Sequence, residues 1–177
     1  MIKKHCSYLF YLYAFCFSLL LCTSSTAQYI NIQIELEPEL EATVLSELNF
    51  GDIIVNSGTK NINLGDPSMG IFSVTAINSQ ILRMELQSTN ILKHLNPAVK
   101  ATIPIDLQAA YNNSGTNNPD VATPFGGDNM YLQVNENAQK DRFEWQTVFI
   151  YIYGFIDVGN VPNGIYEGEL SLVIDYE

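Results

Sequence analysis

Asn163-Gly-Ile-Tyr-Glu-Gly-Glu-Leu-Ser-Leu-Val-Ile-Asp-Tyr-Glu177 is the stretch whose pattern decides the fold. From Tyr166 the residues alternate: Tyr166, Gly168, Leu170, Leu172, Ile174 and Tyr176 share one face, and Glu167, Glu169, Ser171, Val173 and Asp175 share the other. A helix would return apolar residues to one face about every 3.6 positions; a period of two over this length is a β-strand with one face buried. Val161-Pro-Asn-Gly164 leads into it as a turn, glycine supplying a backbone conformation that other residues resist. A strand this apolar must pair inside the chain or with a partner.

The same alternation stands near the other end. In Tyr29-Ile-Asn-Ile-Gln-Ile-Glu-Leu-Glu37, Ile30, Ile32, Ile34 and Leu36 point one way and Asn31, Gln33, Glu35 and Glu37 the other, until Pro38, which cannot donate to a ladder, ends the run. Glu35, Glu37, Glu39 and Glu41 read as one solvated face, not as an acidic cluster with chemistry. Between these ends, short apolar runs are broken by turn residues. Asp52 to Asn56 reads as a short buried strand, Lys60 to Leu64 as an alternating one, and Ile71 to Ala76 with Ile81 to Leu86 as a pair linked by Asn78-Ser79. Thr102 to Tyr111 is a strand whose Pro104 marks an edge or bulge, and Met130 to Val134 is another. Gln87 to Ala101 is the one weakly patterned place where a short helix fits. Phe143 to Val158 is apolar on both faces, with Trp145, Phe149, Tyr151, Tyr153 and Phe155 opposite Val148, Ile150, Ile152 and Ile156, and so should be central, Gly154 marking a bulge or a close approach. Roughly eight to ten such strands without an amphipathic helix predict an all-β sandwich.

Residues 1–27 stand apart from this pattern. Met1 to His5 is a basic opening, Tyr8 to Leu21 an apolar run short of the roughly 20 residues a membrane span needs, and Ser25-Thr-Ala27 a set of small residues suited to cleavage. We therefore expect a cleaved secretory signal, 1–27, an exported single domain, 28–177, in the periplasm, at the cell surface or outside the cell, and no membrane insertion after cleavage. Cys6, Cys16 and Cys22 all fall in the signal, which leaves the remainder without disulfides, thiol nucleophiles or thiolate metal ligands. Lys3 and Lys4 leave as well, so six basic residues face nineteen acidic ones, a formal charge of −13 that repels nucleic acid and anionic membranes.

Little in the composition points to catalysis. His94 is the sole histidine after His5; it lacks a Gly-x-Ser-x-Gly elbow for a hydrolase and a second histidine for a metal, and reads as an ordinary loop residue. The acidic residues show no spacing that selects a general acid and base. Asn112 to Asn129 is a long polar loop rich in the oxygen atoms calcium prefers, yet it lacks the alternating aspartates of a calcium loop, and it reads as a solvated recognition surface. The expectation is a non-enzymatic protein with no cofactor.

The terminal stretch resembles the carboxyl end of chaperone–usher pilus subunits: Gly164 is fourteenth from the end, Tyr176 is penultimate, and Tyr166, Leu170, Leu172 and Ile174 fill the alternation. With Leu48-Asn-Phe-Gly51 and Tyr153-Gly-Phe155, the whole chain after the signal is similar to an uncharacterised family of secreted bacterial sandwich domains related to spore-coat-U-like pilins. That resemblance implies an immunoglobulin-like, pilin-like β-sandwich of about seven to ten strands that lacks one strand. It implies that a periplasmic chaperone recognises Gly164, Tyr166, Leu170, Leu172, Ile174 and Tyr176, and that Ile30, Ile32, Ile34 and Leu36 are donated to a neighbouring subunit by β-augmentation. Many pilins carry a disulfide between early strands, which this chain cannot form. Whether Ile30 to Leu36 is donated or serves as the chain's own first strand is left open by the sequence. The alternative function is a self-contained surface module, adhesin-like, binding its ligand at residues 112–129.

Overall fold

In the computed structural model, which describes residues 40–126, 129–134 and 144–177, the chain is built from antiparallel strands and one short 3-10 turn. The strands are β1 (Glu41–Ser46), β2 (Gly58–Ile62), β3 (Gly70–Ile77), β4 (Ile81–Ser88), β5 (Ile91–His94), β6 (Thr102–Asn112), β7 (Thr123–Pro124), β8 (Asn129–Gln133), β9 (Trp145–Val158), β10 (Tyr166–Glu167) and β11 (Leu170–Tyr176). They form two sheets. The larger runs β1-β3-β9-β6-β5-β10, with β2 also on β9 and β7 also on β6; the smaller runs β11-β4-β8. The all-β, two-sheet architecture expected from the sequence is the one observed, and all these strands lie within one compact unit, Glu37–Glu177.

β9 is the axis. Its 14 residues are long enough to hold β3 along Trp145–Ile152 and β2 along Gly154–Val158, end to end on one edge, while β6 pairs with Phe149–Ile156 on the other. A strand with neighbours on both sides and cover on both faces must be apolar throughout, which accounts for its composition. Gly154 sits where β6 comes nearest. Its φ is +148°, and a Cβ there would run into the backbone carbonyl of Asp106, so the close approach admits glycine alone.

Between the sheets, Val74, Leu82, Met84, Val134, Val148 and Ile150 are fully buried in one continuous cluster. Each such aliphatic side chain contributes roughly 1.5–3 kcal/mol through the water it leaves. A second cluster, Ile103, Ile105, Ile156 and Val158, covers the other end of the larger sheet's inner face. A third, Ile62, Met69 and Tyr151, lies on the opposite face of β9, as the alternation requires.

Four local expectations change. Residues 52–56 form no strand; Ile54 is 81% exposed and the segment bends across the sheet edge. The Gln87–Ala101 region holds β5, not a helix, because pairing with β6 and β10 outweighs its weak local pattern. Asn78-Ser79 does not close a hairpin: β3 and β4 belong to different sheets, and the link carries the chain between layers, with Asn78 buried and its Oδ1 accepting from the Glu144 amide at 3.3 Å. The terminal alternation spans two strands, not one. β10 pairs with β5 in the larger sheet; after Gly168-Glu169, β11 pairs with β4 in the smaller. Pro104 is exposed and lies just before the β6–β9 ladder begins at Ile105, paired on the β5 side alone, a local edge position of the kind expected.

Candidate functional site

The smaller sheet is only three strands wide, and it roofs one end of the larger sheet's inner face. At the other end, the cluster of Ile103, Ile105, Ile156 and Val158 is covered by side chains from two irregular segments: Phe50 and Ile53 on one side, Val161 and Tyr166 on the other. Between these segments an open groove of about 1200 Å³ reaches down to the floor isoleucines. Both sheets present a strand edge to it. Val44 and Ser46 of β1 and Leu170 of β11 line the groove, and among the described residues β1 pairs only with β3 and β11 only with β4. The end of β1 and the start of β11 thus border an apolar floor, and among the described residues the outer edge of each strand has no ladder partner, which is what an added strand requires. Among the described residues, the charged ones at the groove are Glu47, Asp52, Glu167 and Glu169, with no lysine or arginine. Lys93 stands opposite Glu167 across the β5–β10 pair.

Of the residues singled out at the carboxyl end, Gly164, Tyr166 and Leu170 line the groove, whereas Leu172, Ile174 and Tyr176 lie away from it. Leu170, Leu172, Ile174 and Tyr176 are half-buried against the main cluster, their neighbours Ser171, Val173 and Asp175 exposed, as the alternation predicts. The Tyr176 hydroxyl accepts a hydrogen bond from the Ile77 amide at 3.2 Å, tying the far end of β11 to the larger sheet. Tyr166 packs on the groove floor, and its hydroxyl donates to the Pro162 carbonyl at 2.8 Å. Gly164 lies directly against His94, where a Cβ would collide with the imidazole. Ile30, Ile32, Ile34 and Leu36 lie outside the described residues.

Two contributors went unread in the sequence. One is β1, whose Val44 and Ser46 line the groove. The other is His94, whose Nε2 donates to the Asn163 carbonyl at 3.3 Å and whose Nδ1 accepts from the Asn96 amide at 2.9 Å. Its ring meets that of Tyr166 edge-on, centroids 5.1 Å apart at 83°. The pairing of His94 with Tyr166 in the β5–β10 ladder joins residues far apart in the chain, and no local signal could have revealed it.

The 112–129 loop is fastened from within. Asn112, 3% exposed, donates from Nδ2 to the carbonyls of Thr116 and Asn118 at 2.9 Å each, and its Oδ1 accepts from the Ser114 amide at 2.9 Å. Asn118 Oδ1 accepts from the Asp120 amide at 3.1 Å and caps the 3-10 turn Pro119–Val121. Asn117 Oδ1 accepts from the buried Tyr151 hydroxyl at 3.1 Å. Burial pushes the Tyr151 phenol above its usual pKa, against the opposing effect of hydrogen bonding by Asn112 and the Asn118 backbone. The side-chain oxygens of Asn112, Asn117 and Asn118, of the kind a hard cation would seek, thus already accept hydrogen bonds. Residues 127–128 of the loop lie outside the described residues, and the described residues hold no group of three His, Cys, Asp or Glu side chains fit for a metal ion. No protein-family model matches the chain and no curated protein matches it, so its groove and strand edges are read on their own physical terms.

Proposed function

We propose that the protein is an exported, non-enzymatic structural subunit of a pilus-like surface fibre, assembled by β-strand complementation. One copy offers the groove; the next inserts Ile30, Ile32, Ile34 and Leu36. A periplasmic chaperone holds the groove, recognising Gly164, Tyr166, Leu170, Leu172, Ile174 and Tyr176, until that exchange. The observation that carries the reading is the groove itself: an apolar floor bordered by two strand edges that have no partner among the described residues. Its volume of about 1200 Å³ exceeds the roughly 300–1,000 Å³ usual for a small-molecule pocket. A seven-residue strand from Ile30 to Leu36 would span about 23 Å and turn four aliphatic side chains to the floor, its backbone bonding to those edges. The binding-module alternative draws no such support, since Asn112 and Asn118 bond the loop itself while Asn113 and Asn117 bond Gln133 and Tyr151.

The test is a denaturing gel of the exported chain with and without boiling, beside size-exclusion chromatography. The expected result is a ladder that collapses only on heating, and its loss in Ile32→Asp and Ile34→Asp variants whose monomers keep the wild-type melting temperature. A wild-type chain that runs as a single monomer under all conditions removes the fibre reading. Variants that unfold the monomer would make Ile30 to Leu36 the chain's own strand.

A further inference from the structure

Among the described residues, the carboxyl-side wall of the groove, residues 162–166, has no strand except the two-residue β10, and much of its fixing comes from one side chain of β5. His94 closes that strand. Its Nδ1 faces the Asn96 amide at 2.9 Å and its Nε2 faces the Asn163 carbonyl at 3.3 Å. The next residue, Leu95, donates its amide to the Ile165 carbonyl at 2.8 Å, and the Tyr166 hydroxyl returns to Pro162 at 2.8 Å. The wall is therefore a small loop pinned at Asn163 and Ile165, with Gly164 between the pins and flush against the imidazole.

These partners admit one form of the ring. An amide N–H can only donate, so Nδ1 must present its lone pair; a carbonyl can only accept, so Nε2 must carry the proton. That is a neutral imidazole in a single tautomer. A second proton at Nδ1 would set N–H against the N–H of Asn96, removing one bond and opposing the ring's position. The charged neighbours on the two strands are Lys93, beside His94 on β5, and Glu167, opposite Lys93 on β10; Tyr166 faces His94 directly. No carboxylate is hydrogen-bonded to the ring among the described residues.

We infer that His94 is the positioning residue of the groove wall: its neutral ring holds residues 162–166 in place, and protonation releases them, so that acid loosens the side on which a donated strand enters. The inference deepens the proposed assembly role and rests on it for its biological meaning, while the latch can be measured without any assembly.

The experiment uses the full chain with nitrogen-labelled histidine. At about pH 8, imidazole nitrogen spectra should show His94 with its proton on Nε2; a proton on Nδ1 overturns the proposal. The amides of Leu95 and Asn96, corrected for intrinsic exchange, should lose protection by roughly tenfold between about pH 8 and pH 5.5. His94→Gln, which keeps a donor and an acceptor but cannot take up a proton, should abolish that loss, and Glu167→Gln should preserve it. Protection insensitive to pH in the wild type, or a loss that persists in His94→Gln or vanishes in Glu167→Gln, overturns the latch. The unboiled gel at the same two pH values separates the two ideas. A latch that opens in acid with no ladder at either pH removes the assembly role alone, and a ladder with pH-insensitive amides removes the latch alone.

Discussion

The two ends of the larger sheet's inner face are made of the same kinds of residue and are finished differently. At one end Val74, Val148 and Ile150 are closed over completely by the smaller sheet, whose Leu82 and Met84 are themselves fully buried. At the other, Ile103 and Ile105 keep 6% and 9% of their surface exposed beneath two irregular segments and an open groove. The hydrophobic contribution follows the area removed from water, and close packing adds to it only where no gap remains. Stability should therefore concentrate under the smaller sheet, and recognition at the groove, where burial is still incomplete.

The sharpest way to break this contrast is to cut one residue from each half. Leu82→Ala leaves a sealed cavity and should cost about 3–5 kcal/mol in urea unfolding, while the folded fraction keeps its ability to assemble. Ile103→Ala opens onto the groove, where walls can settle inward, and should cost only about 1–2 kcal/mol yet weaken the heat-sensitive ladder more than Leu82→Ala does. Equal costs would mean the halves do not differ. A smaller effect is expected at Tyr151, on the outward face of β9. Tyr151→Phe should cost about 1 kcal/mol by leaving Asn117 without its donor. Because burial raises the Tyr151 phenol, the folded state holds its proton longer than the unfolded chain, which loses it near pH ~10. That contribution is complete below about pH 10 and disappears as pH rises through the higher folded value, so the urea midpoint should fall in alkali, and fall less in Tyr151→Phe. The smallest effect concerns charge at the groove. Glu47, Asp52, Glu167 and Glu169 would face the Glu35 and Glu37 of an incoming strand, and raising salt from about 20 to 500 mM should strengthen the ladder by less than roughly tenfold.

What was legible in the sequence was whatever had a covered face. β9, apolar on both sides, and β4 and β11, alternating, announced themselves because burial selects side chains by position. β1 left no such mark. Five of its six residues are exposed, since its free edge borders the groove and little packs over it. The same openness that leaves its edge free made it unreadable. Ile53-Ile54-Val55 misled in the opposite sense: an apolar run suggested a buried strand, but Ile53 and Val55 line the groove wall while Ile54 faces solvent. The break between β10 and β11 was invisible because alternation gives a strand's faces and says nothing of its partners; β5 and β4 supply those. Gly164 was noticed for its place in a pattern, whereas its physical reason, the ring of His94, lies on another strand.

The crossing at Gly168-Glu169 has a mechanical consequence. One continuous backbone is stitched into the larger sheet by two register pairs and into the smaller by seven, and the 77–81 and 88–91 links tie the layers again. Sliding one layer over the other would have to tear a ladder or stretch a covalent chain. Tension applied along β11 would load its seven pairs with β4 in shear, all together, before reaching the two of β10. The frame around the groove is thus stiff and its lining soft, so that a pull on the chain is borne by the scaffold and not by the opening it surrounds.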